Sequence, residues 1–205
     1  MRKAMTISYA IGTKLYMNIT NKCPCSCTFC IRNNGDGAYG SDPLWLEHEP
    51  SMDEISADLA KRDISAYEEI VFCGYGEPTS RISELVTAAG LLKAQENCPP
   101  LRLNTNGLSD LINERSTADE LCSVFDTISI SLNAGTEDGY MKVTRPKFGE
   151  KSFGAMKKFT SDCVKNGGCK VMMTVVDVIS QEEIDAADRL AESLGCKLRV
   201  RSYDS

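Results

Sequence analysis

Short β-branched segments alternate with helical patterns along most of the chain, and this alternation constrains the fold most strongly. The segments that predict strands are residues 14–19, 69–73, 101–105, 127–132, 170–176 and 197–202. Strands separated by helices form βαβ units and therefore a parallel sheet. Eight such units close a barrel, so this pattern predicts an open partial (β/α)6 barrel, with a flat doubly wound sheet as the alternative.

Amphipathic helices are predicted between these strands. Apolar residues recur at helical spacing in five places, beginning near Met52, Ile82, Leu121, Phe153 and Ile184. Capping boxes, in which Glu follows the cap three residues later, predict three helix starts, at Ser51, Thr117 and Ser180. Residues 6–11 also alternate, and Gly12 can turn the chain, which predicts an extra N-terminal strand. We expect one α/β domain over residues 1–205.

The composition argues against several classes of protein. The chain carries 23 basic and 29 acidic residues, a formal charge of −6, which argues against coating nucleic acid by bulk charge. No apolar run approaches the roughly 18 residues that a membrane span needs. The N-terminus also lacks the apolar stretch of a signal peptide. We therefore expect a cytoplasmic protein with no membrane contact.

The cysteines are numerous and unevenly spread, with ten in the chain and four of them between positions 23 and 30. Cys23, Cys27 and Cys30 form a C-x3-C-x2-C motif just after the first predicted barrel strand. Closely spaced thiolates on a loop hold iron–sulfur clusters. Three ligands on a four-iron cubane leave one iron open to an external ligand, as a catalytic metal requires. The motif therefore predicts a [4Fe–4S] cluster.

Zinc binding and disulfide pairing are the alternatives for this motif. A zinc site needs a second C-x2-C or a Cys/His pair, and the chain has one histidine, His48. Cys25 is interpreted as a spectator, although a register that uses it as a ligand stays open. The six scattered cysteines are expected to be small buried hydrophobic residues. Three of them, Cys163, Cys169 and Cys196, are too widely spaced in sequence to predict a second cluster.

Four further segments follow the cysteines in an order typical of a known family. FCGYGEP at residues 72–78 follows the second barrel strand, LNTNG at 103–107 ends the third, and SISLN at 129–133 ends the fourth. RPKFG at 145–149 precedes the next helix, and the aromatic Phe29 stands before the last cysteine of the motif. With these segments the chain resembles the radical S-adenosylmethionine (SAM) superfamily.

This resemblance implies a cofactor site as well as a fold. It implies that Cys23, Cys27 and Cys30 hold the cluster and that SAM binds the open iron. The residues it implies for SAM binding are Gly74, Tyr75, Gly76, Glu77, Asn104, Thr105, Asn106, Ser129, Ser131 and Asn133. Tyr75 departs from the family, which has a glycine there, whereas Gly74 and Gly76 are expected to allow close backbone approach to the ligand. A plain turn at 74–77 and polar filling of the barrel by the last three residues are the alternatives.

The resemblance also implies a reaction and partners. An oxidoreductase of this family takes an electron from a flavodoxin or ferredoxin and cleaves SAM to methionine and a 5′-deoxyadenosyl radical, which abstracts hydrogen from a substrate. The alternatives are a glycyl-radical-type activase acting on a partner protein and a non-catalytic sensor that binds SAM or the cluster. The segment LYMNITN at residues 15–21 and residues 145–149 are similar to a small radical SAM family associated with TatD-type nucleases. The high thiol content suits an anaerobe.

Strand parity adds a prediction about the substrate. Side chains alternate across a strand, so the apolar Leu198 and Val200 are expected to face the helices, which turns Lys197, Arg199 and Arg201 into the lumen. The same argument places Arg102 inside. Cations in a lumen are costly unless an anion pairs with them, which predicts an anionic substrate. A solvated edge strand is the alternative.

Two more features are candidates for a role in the site. Cys73 lies beside the glycine loop and either faces the radical or is a buried core thiol. Trp45 and His48 lie in the irregular stretch 31–50. Loops of this length are often functional, so the stretch is interpreted as a lid over the cluster or as a passive cover.

Overall fold

A computed structural model describes residues 2–203 of the chain. The described residues form one sheet of seven strands: β1 (Ser8–Ile11), β2 (Lys14–Met17), β3 (Glu69–Phe72), β4 (Leu101–Thr105), β5 (Thr127–Ser131), β6 (Lys170–Val176) and β7 (Lys197–Arg201). Its α-helices are α1 (Met52–Leu59), α2 (Ile82–Lys93), α3 (Ser109–Asn113), α4 (Ala118–Val124), α5 (Glu137–Thr144), α6 (Lys151–Asn166) and α7 (Gln181–Ser193).

The strands lie in the sheet in the same order as in the sequence. β1 is antiparallel to β2 through a turn at Gly12, whose φ of +56° suits a residue without a side chain. From β2 to β7 each strand is parallel to the next. No pairing joins β7 to β1 within the described residues, so the sheet is open. The predicted partial barrel with an extra N-terminal strand is confirmed.

The three predicted helix starts are confirmed, because α1, α4 and α7 begin directly after Ser51, Thr117 and Ser180, but the predicted side-chain caps form only in part. Ser51 forms a complete capping box with Glu54 at the start of α1. Thr117 does not cap α4, because its hydroxyl bonds instead to Ser109 and Asp110. The sequence pattern did not predict α3 and α5, which are only five and eight residues long.

The core lies between the sheet and the surrounding helices. Each of the successive strands β2 to β6 contributes fully buried residues to this core, for example Leu15, Ile70, Leu103, Ile128 and Met173. The alternate residues of the same strands face the other way, into the lumen, as strand geometry requires. No helix in residues 2–203 combines the length and the apolar character needed to cross a membrane.

A smaller apolar cluster lies on the lumen side of the first strands. Tyr9 of β1 packs there with Ala38, Leu44 and Tyr75, and Trp45 borders the group. This cluster holds the irregular stretch 31–50 against the sheet, so a long segment without regular structure acquires a fixed position.

Candidate active site

A cavity of about 380 Å³ opens at the carboxyl ends of the parallel strands. In β/α barrels the loops at this end build the active site. All the residues that the sequence predicted for the cluster and for SAM line this one cavity: Cys23, Cys27, Cys30, Gly74, Tyr75, Gly76, Glu77, Asn104, Thr105, Asn106, Ser129, Ser131 and Asn133. Four segments, at the carboxyl ends of β2, β3, β4 and β5, therefore bring together residues that are more than a hundred positions apart in sequence.

The cysteine loop is held by the last residues of α5 and by the segment that follows this helix. Thr28 donates its backbone N–H to the Val143 carbonyl at 2.9 Å, and Lys147 donates to the Pro24 carbonyl at 2.8 Å. Cys25 also forms an isolated antiparallel bridge with Pro146. The RPKFG segment, which the sequence singled out by resemblance, thus supports the backbone of the cysteine loop.

The thiols in this loop differ in their tendency to ionise. The Cys25 thiol lies within hydrogen-bonding reach of the sulfurs of both Cys23 and Cys27. These contacts lower the pKa of Cys23 and of Cys27. The same contacts, together with burial, raise the pKa of Cys25. The thiols of Cys23 and Cys27 thus lose their protons more readily than the thiol of Cys25.

The third cysteine of the motif has a cation beside it. Arg32 donates from Nε to the Cys30 sulfur at 3.2 Å and from Nη2 to the Cys25 carbonyl at 3.2 Å. A guanidinium favours the thiolate, which is the form that binds metal. Nothing in the sequence singled out Arg32, because only the folded loop shows the contact.

The donor set fits a cubane held by three thiolates. Cys23, Cys27 and Cys30 are half-buried and face the same cavity. Between residues 2 and 203, no group of three His, Cys, Asp or Glu side chains has the arrangement to hold a metal ion. A cubane does not require convergence on one point, since each thiolate binds a different iron.

Glu77 joins three loops of the site. Its carboxylate accepts from the Thr105 hydroxyl at 2.7 Å, from the Asn106 backbone N–H at 2.7 Å and from the Thr79 hydroxyl at 2.8 Å. Its own backbone N–H donates to the Lys22 carbonyl at 2.7 Å. Burial raises the pKa of the Glu77 carboxyl, and the hydrogen bonds oppose that rise. The residue therefore fixes the geometry of the loops after β2, β3 and β4.

Gly74 and Gly76 are packed closely against other residues, which leaves no room for a side chain at either position. A Cβ on Gly74 would lie 2.1 Å from Asn18 Oδ1, and one on Gly76 would lie 2.3 Å from the Thr20 carbonyl oxygen. Real Cβ atoms do not approach this closely. The glycines are therefore required for contact with the segment that leads from β2 to Cys23, in addition to any approach to a ligand.

Tyr75 has a structural role that explains its departure from the family pattern. Its hydroxyl contacts the carbonyls of Gly35 at 2.9 Å and Gly37 at 3.1 Å, and its ring meets Trp45 edge-on at 5.2 Å between centroids. The residue anchors the stretch 31–50 over the site. His48 lies outside the cavity, half-exposed, with Nε2 2.9 Å from Glu54 Oε1, so it is not part of the cover.

Polar side chains line part of the lumen below these loops. Asn104 and Ser129 line it from β4 and β5, and the buried Asn104 Oδ1 has no hydrogen-bond partner among the described residues. Cys73 also lines the cavity, and burial raises the pKa of its thiol. The sequence predicted this polar character from strand parity.

The alternation of side chains along β7 predicted their directions only in part. Arg199 and Arg201 line the cavity, as predicted, whereas Lys197 is exposed and is not part of its lining. Leu198 packs against the core, but Val200 is 47% exposed, so its predicted packing against a helix is wrong. β7 lies at the open edge of the sheet, which leaves part of its outer face uncovered.

The structure also shows contacts that the sequence did not reveal. Tyr9 and Tyr16 stack in the lumen with centroids 5.4 Å apart; the alternation of β1 and β2 could have placed them there. Remote from the cavity, the sulfur atoms of Cys122 and Cys169 lie 3.2 Å apart. No sequence spacing predicts this pair, because 47 residues separate its members.

The comparison with known protein families agrees with the site. The profile described as "Radical SAM superfamily" matches residues 17–191, which include the last residue of β2, the strands β3 to β6 and every residue predicted for the cofactors. The chain therefore belongs to the radical SAM superfamily. No curated protein matches the sequence.

Proposed function

We propose that this protein is a radical SAM enzyme with a [4Fe–4S] cluster on Cys23, Cys27 and Cys30, acting on an anionic substrate in the same cavity. The observation that carries this proposal is the shared cavity. The three thiols of the motif and all ten residues expected to contact SAM line it together. The family membership of residues 17–191 supports an iron–sulfur and SAM-dependent enzyme in general.

When bound, the cluster and SAM supply the electron transfer and carbon–sulfur cleavage that yield methionine and a 5′-deoxyadenosyl radical. The protein supplies binding, orientation and exclusion of water. Cys23, Cys27 and Cys30 hold the metal, and Arg32 stabilises the Cys30 thiolate. Glu77 fixes the loops whose backbone and side chains face SAM. The stretch 31–50 covers the site, because Ala38 and Leu44 are buried where they line the cavity.

The electron donor proposed is a flavodoxin or ferredoxin. Cations surround the cysteine loop although the whole chain is acidic, with a formal charge of −6. Lys142 and Lys147 flank residues 143–146, whose backbone pairs with the loop, and both are exposed. An acidic redox protein would be attracted to such a surface. The association with a TatD-type nuclease rests on the resemblance of residues 15–21 and 145–149 alone.

The test of the proposed function is SAM cleavage under anaerobic conditions. Reconstituted protein incubated with SAM and dithionite is expected to form 5′-deoxyadenosine and methionine, and the Cys23→Ala variant is expected to form neither. A protein that keeps its cluster and binds SAM without cleaving it would instead be a sensor, and the proposed function would be wrong.

A further inference from the structure

The two edges of the open sheet bring different chemistry to the cavity. β1 and β2 contribute an apolar wall made of Tyr9, Ile11 and Tyr16, with the two tyrosine rings stacked. β7 contributes Arg199 and Arg201. A molecule that fills the lumen therefore meets an aromatic surface on one side and guanidinium groups on the other.

A third arginine, Arg102 of β4, enters the same cavity. Its side chain is only 11% exposed, and its Nη2 lies 3.2 Å from Glu69 Oε2. That carboxylate is shared with Lys14, whose Nζ is 2.7 Å away. The buried Nε of Arg102 has no hydrogen-bond partner. Its cation is thus only partly compensated by the protein.

The positive charges of Arg199 and Arg201 have fewer partners in the protein than that of Arg102. Neither guanidinium forms an ion pair or a hydrogen bond with any residue between 2 and 203. Both Arg102 and Arg201 act against the rise in the pKa of Cys73 that burial causes, so both lie near this thiol in the lumen. We refer to Arg102, Arg199 and Arg201 as the arginine end.

No acid in the lining of the cavity balances the arginine end. Among the described residues that line it, the one carboxylate is Glu77. Glu77 is committed to Thr79, Thr105 and Asn106. SAM does not provide the missing charge either, because its sulfonium and ammonium groups outweigh its single carboxylate. Arg102 is mostly buried, whereas Arg199 and Arg201 are exposed, and all three face one cavity, so an anion bound there would accept charge-assisted hydrogen bonds from the arginine end.

We propose that the substrate is a small organic anion, whose carboxylate or phosphate binds the arginine end and whose apolar body lies on Tyr9 and Tyr16. Arginine suits this role because its planar group can bind either oxyanion with two hydrogen bonds. An aromatic wall contributes stacking to a flat substrate. The claim that this anion is a substrate rests on the proposed function. The claim that the cavity binds such an anion does not depend on it.

The test compares matched probes by isothermal titration of the anaerobic, cluster-loaded protein with SAM present. The probes are 3-phenylpropionate, phenyl phosphate and the neutral 3-phenylpropionamide. At least one anion is expected to bind about tenfold more tightly than the amide, since a charge-assisted bond exceeds a neutral one by about 1.4 kcal/mol or more. The relative affinities of the two anions distinguish a carboxylate site from a phosphate site.

Variants locate the site. Arg201→Met and, independently, Arg199→Met keep an apolar side chain without the charge, and at least one is expected to abolish the preference for the anion. Arg189→Met, on the exposed face of α7, removes the same charge outside the cavity and is expected to keep the preference. Two variants are used so that misfolding of one does not decide the result.

Three outcomes would overturn the inference: no binding of either anion, equal binding of the amide, or an unchanged preference in both lumen variants. Failure of the proposed function gives a different pattern. A protein that binds the anions through Arg199 or Arg201 but never cleaves SAM would retain the anion site and lose the enzymatic activity. A protein that cleaves SAM without any anion preference would lose only this inference.

Discussion

At the scale of single residues, Cys25 differs from the three cysteines around it. It is 3% exposed, its pKa is raised, and its sulfur lies between those of Cys23 and Cys27. Asn106 Nδ2 lies 3.8 Å from the same sulfur. These contacts distinguish Cys25 from Cys23, Cys27 and Cys30, and substitution of each cysteine tests the predicted register, in which Cys25 is not a ligand.

The Cys25→Ala variant is therefore expected to keep about four irons per chain, as a complete cubane requires. Cys23→Ala, Cys27→Ala and Cys30→Ala are expected to lose the cluster. Iron analysis after anaerobic reconstitution measures the difference. If Cys25→Ala lost as much iron as the others, the ligand register would have to include Cys25.

The cysteine motif was visible in the sequence, whereas the hydrogen bonds of Glu77 were not. The spacing of three close cysteines is a local pattern, so local sequence was enough to find it. Glu77 acquires its role from Thr105 and Asn106, which lie 28 and 29 residues further along the chain. Only the pairing of β3 with β4 brings these groups together.

At the scale of elements, the loop after β3 packs tightly against the loop after β2. The Gly76→Ala variant places a Cβ against the Thr20 and Lys22 carbonyls, at 2.3 and 2.7 Å. Overpacking of this kind costs about 1–3 kcal/mol. Because Lys22 precedes Cys23, we expect a loss of iron incorporation together with a lower free energy of unfolding, and not a defect confined to SAM binding.

The matched control for this substitution is Gly90→Ala in α2. A Cβ there meets no atom within 4 Å. Alanine in a helix interior is more favourable than glycine by about 0.5–1 kcal/mol, so this variant is expected to be slightly stabilised with full iron content. Urea unfolding and iron analysis compare the two variants; a normal iron content in Gly76→Ala would show that the two loops are not coupled.

Tyr75 connects the loop after β3 with the stretch 31–50. Trp45 is the single tryptophan of the chain, so its fluorescence reports on this contact. In cluster-free protein, Tyr75→Ala is expected to shift the emission to longer wavelength, because water replaces the ring. Tyr75→Phe keeps the ring and is expected to emit as the wild type does. An unshifted Ala variant, or an equal shift in both, would contradict the anchoring role.

The sequence predicted strands better than helices at this scale. β4 and β6 have the predicted bounds, because β-branched runs bounded by turns are a strong local signal. α3 was missed because five residues are too few to show helical periodicity. The cap at Thr117 was wrong because Asp110, a tertiary neighbour, competes for its hydroxyl.

At the scale of the whole molecule, the surface around the cysteine loop is positively charged although the chain carries a net negative charge. Replacing both Lys142 and Lys147 by Glu is expected to slow SAM cleavage driven by a reduced acidic flavodoxin about tenfold at low ionic strength. Cleavage driven by dithionite is expected to be unaffected, because a small reductant needs no docking surface. Added salt is expected to narrow the difference between variant and wild type.

The control for this experiment replaces both Lys61, after α1, and Lys165, in the last turn of α6, by Glu, an equal charge change at two exposed positions. It is expected to leave the flavodoxin-driven rate at the wild-type value. If this control slowed the reaction as much as the Lys142 and Lys147 variant, the effect would come from the net charge of the protein and not from a docking surface beside the cluster.

The overall architecture was predictable because strand order, helix connections and parity all follow from local patterns and the rules of parallel sheets. The position of the long stretch 31–50 was not predictable, because it depends on hydrogen bonds to distant residues. Asn18 Nδ2 donates to the Leu44 carbonyl at 2.8 Å, and Asn21 bonds to the backbone of Leu46. These are long-range bonds to single backbone groups, and no periodic pattern encodes them.

The most direct test of the account is whether SAM binds the open iron of a cluster held by three cysteines. The measurement is electron paramagnetic resonance with electron–nuclear double resonance on the reduced protein, using SAM isotopically labelled in its amino and carboxylate groups. The account predicts hyperfine coupling from both labels to the cluster of the wild type and of Cys25→Ala. A reduced cluster whose spectrum does not change when SAM is added, with no coupling from either label, would contradict it.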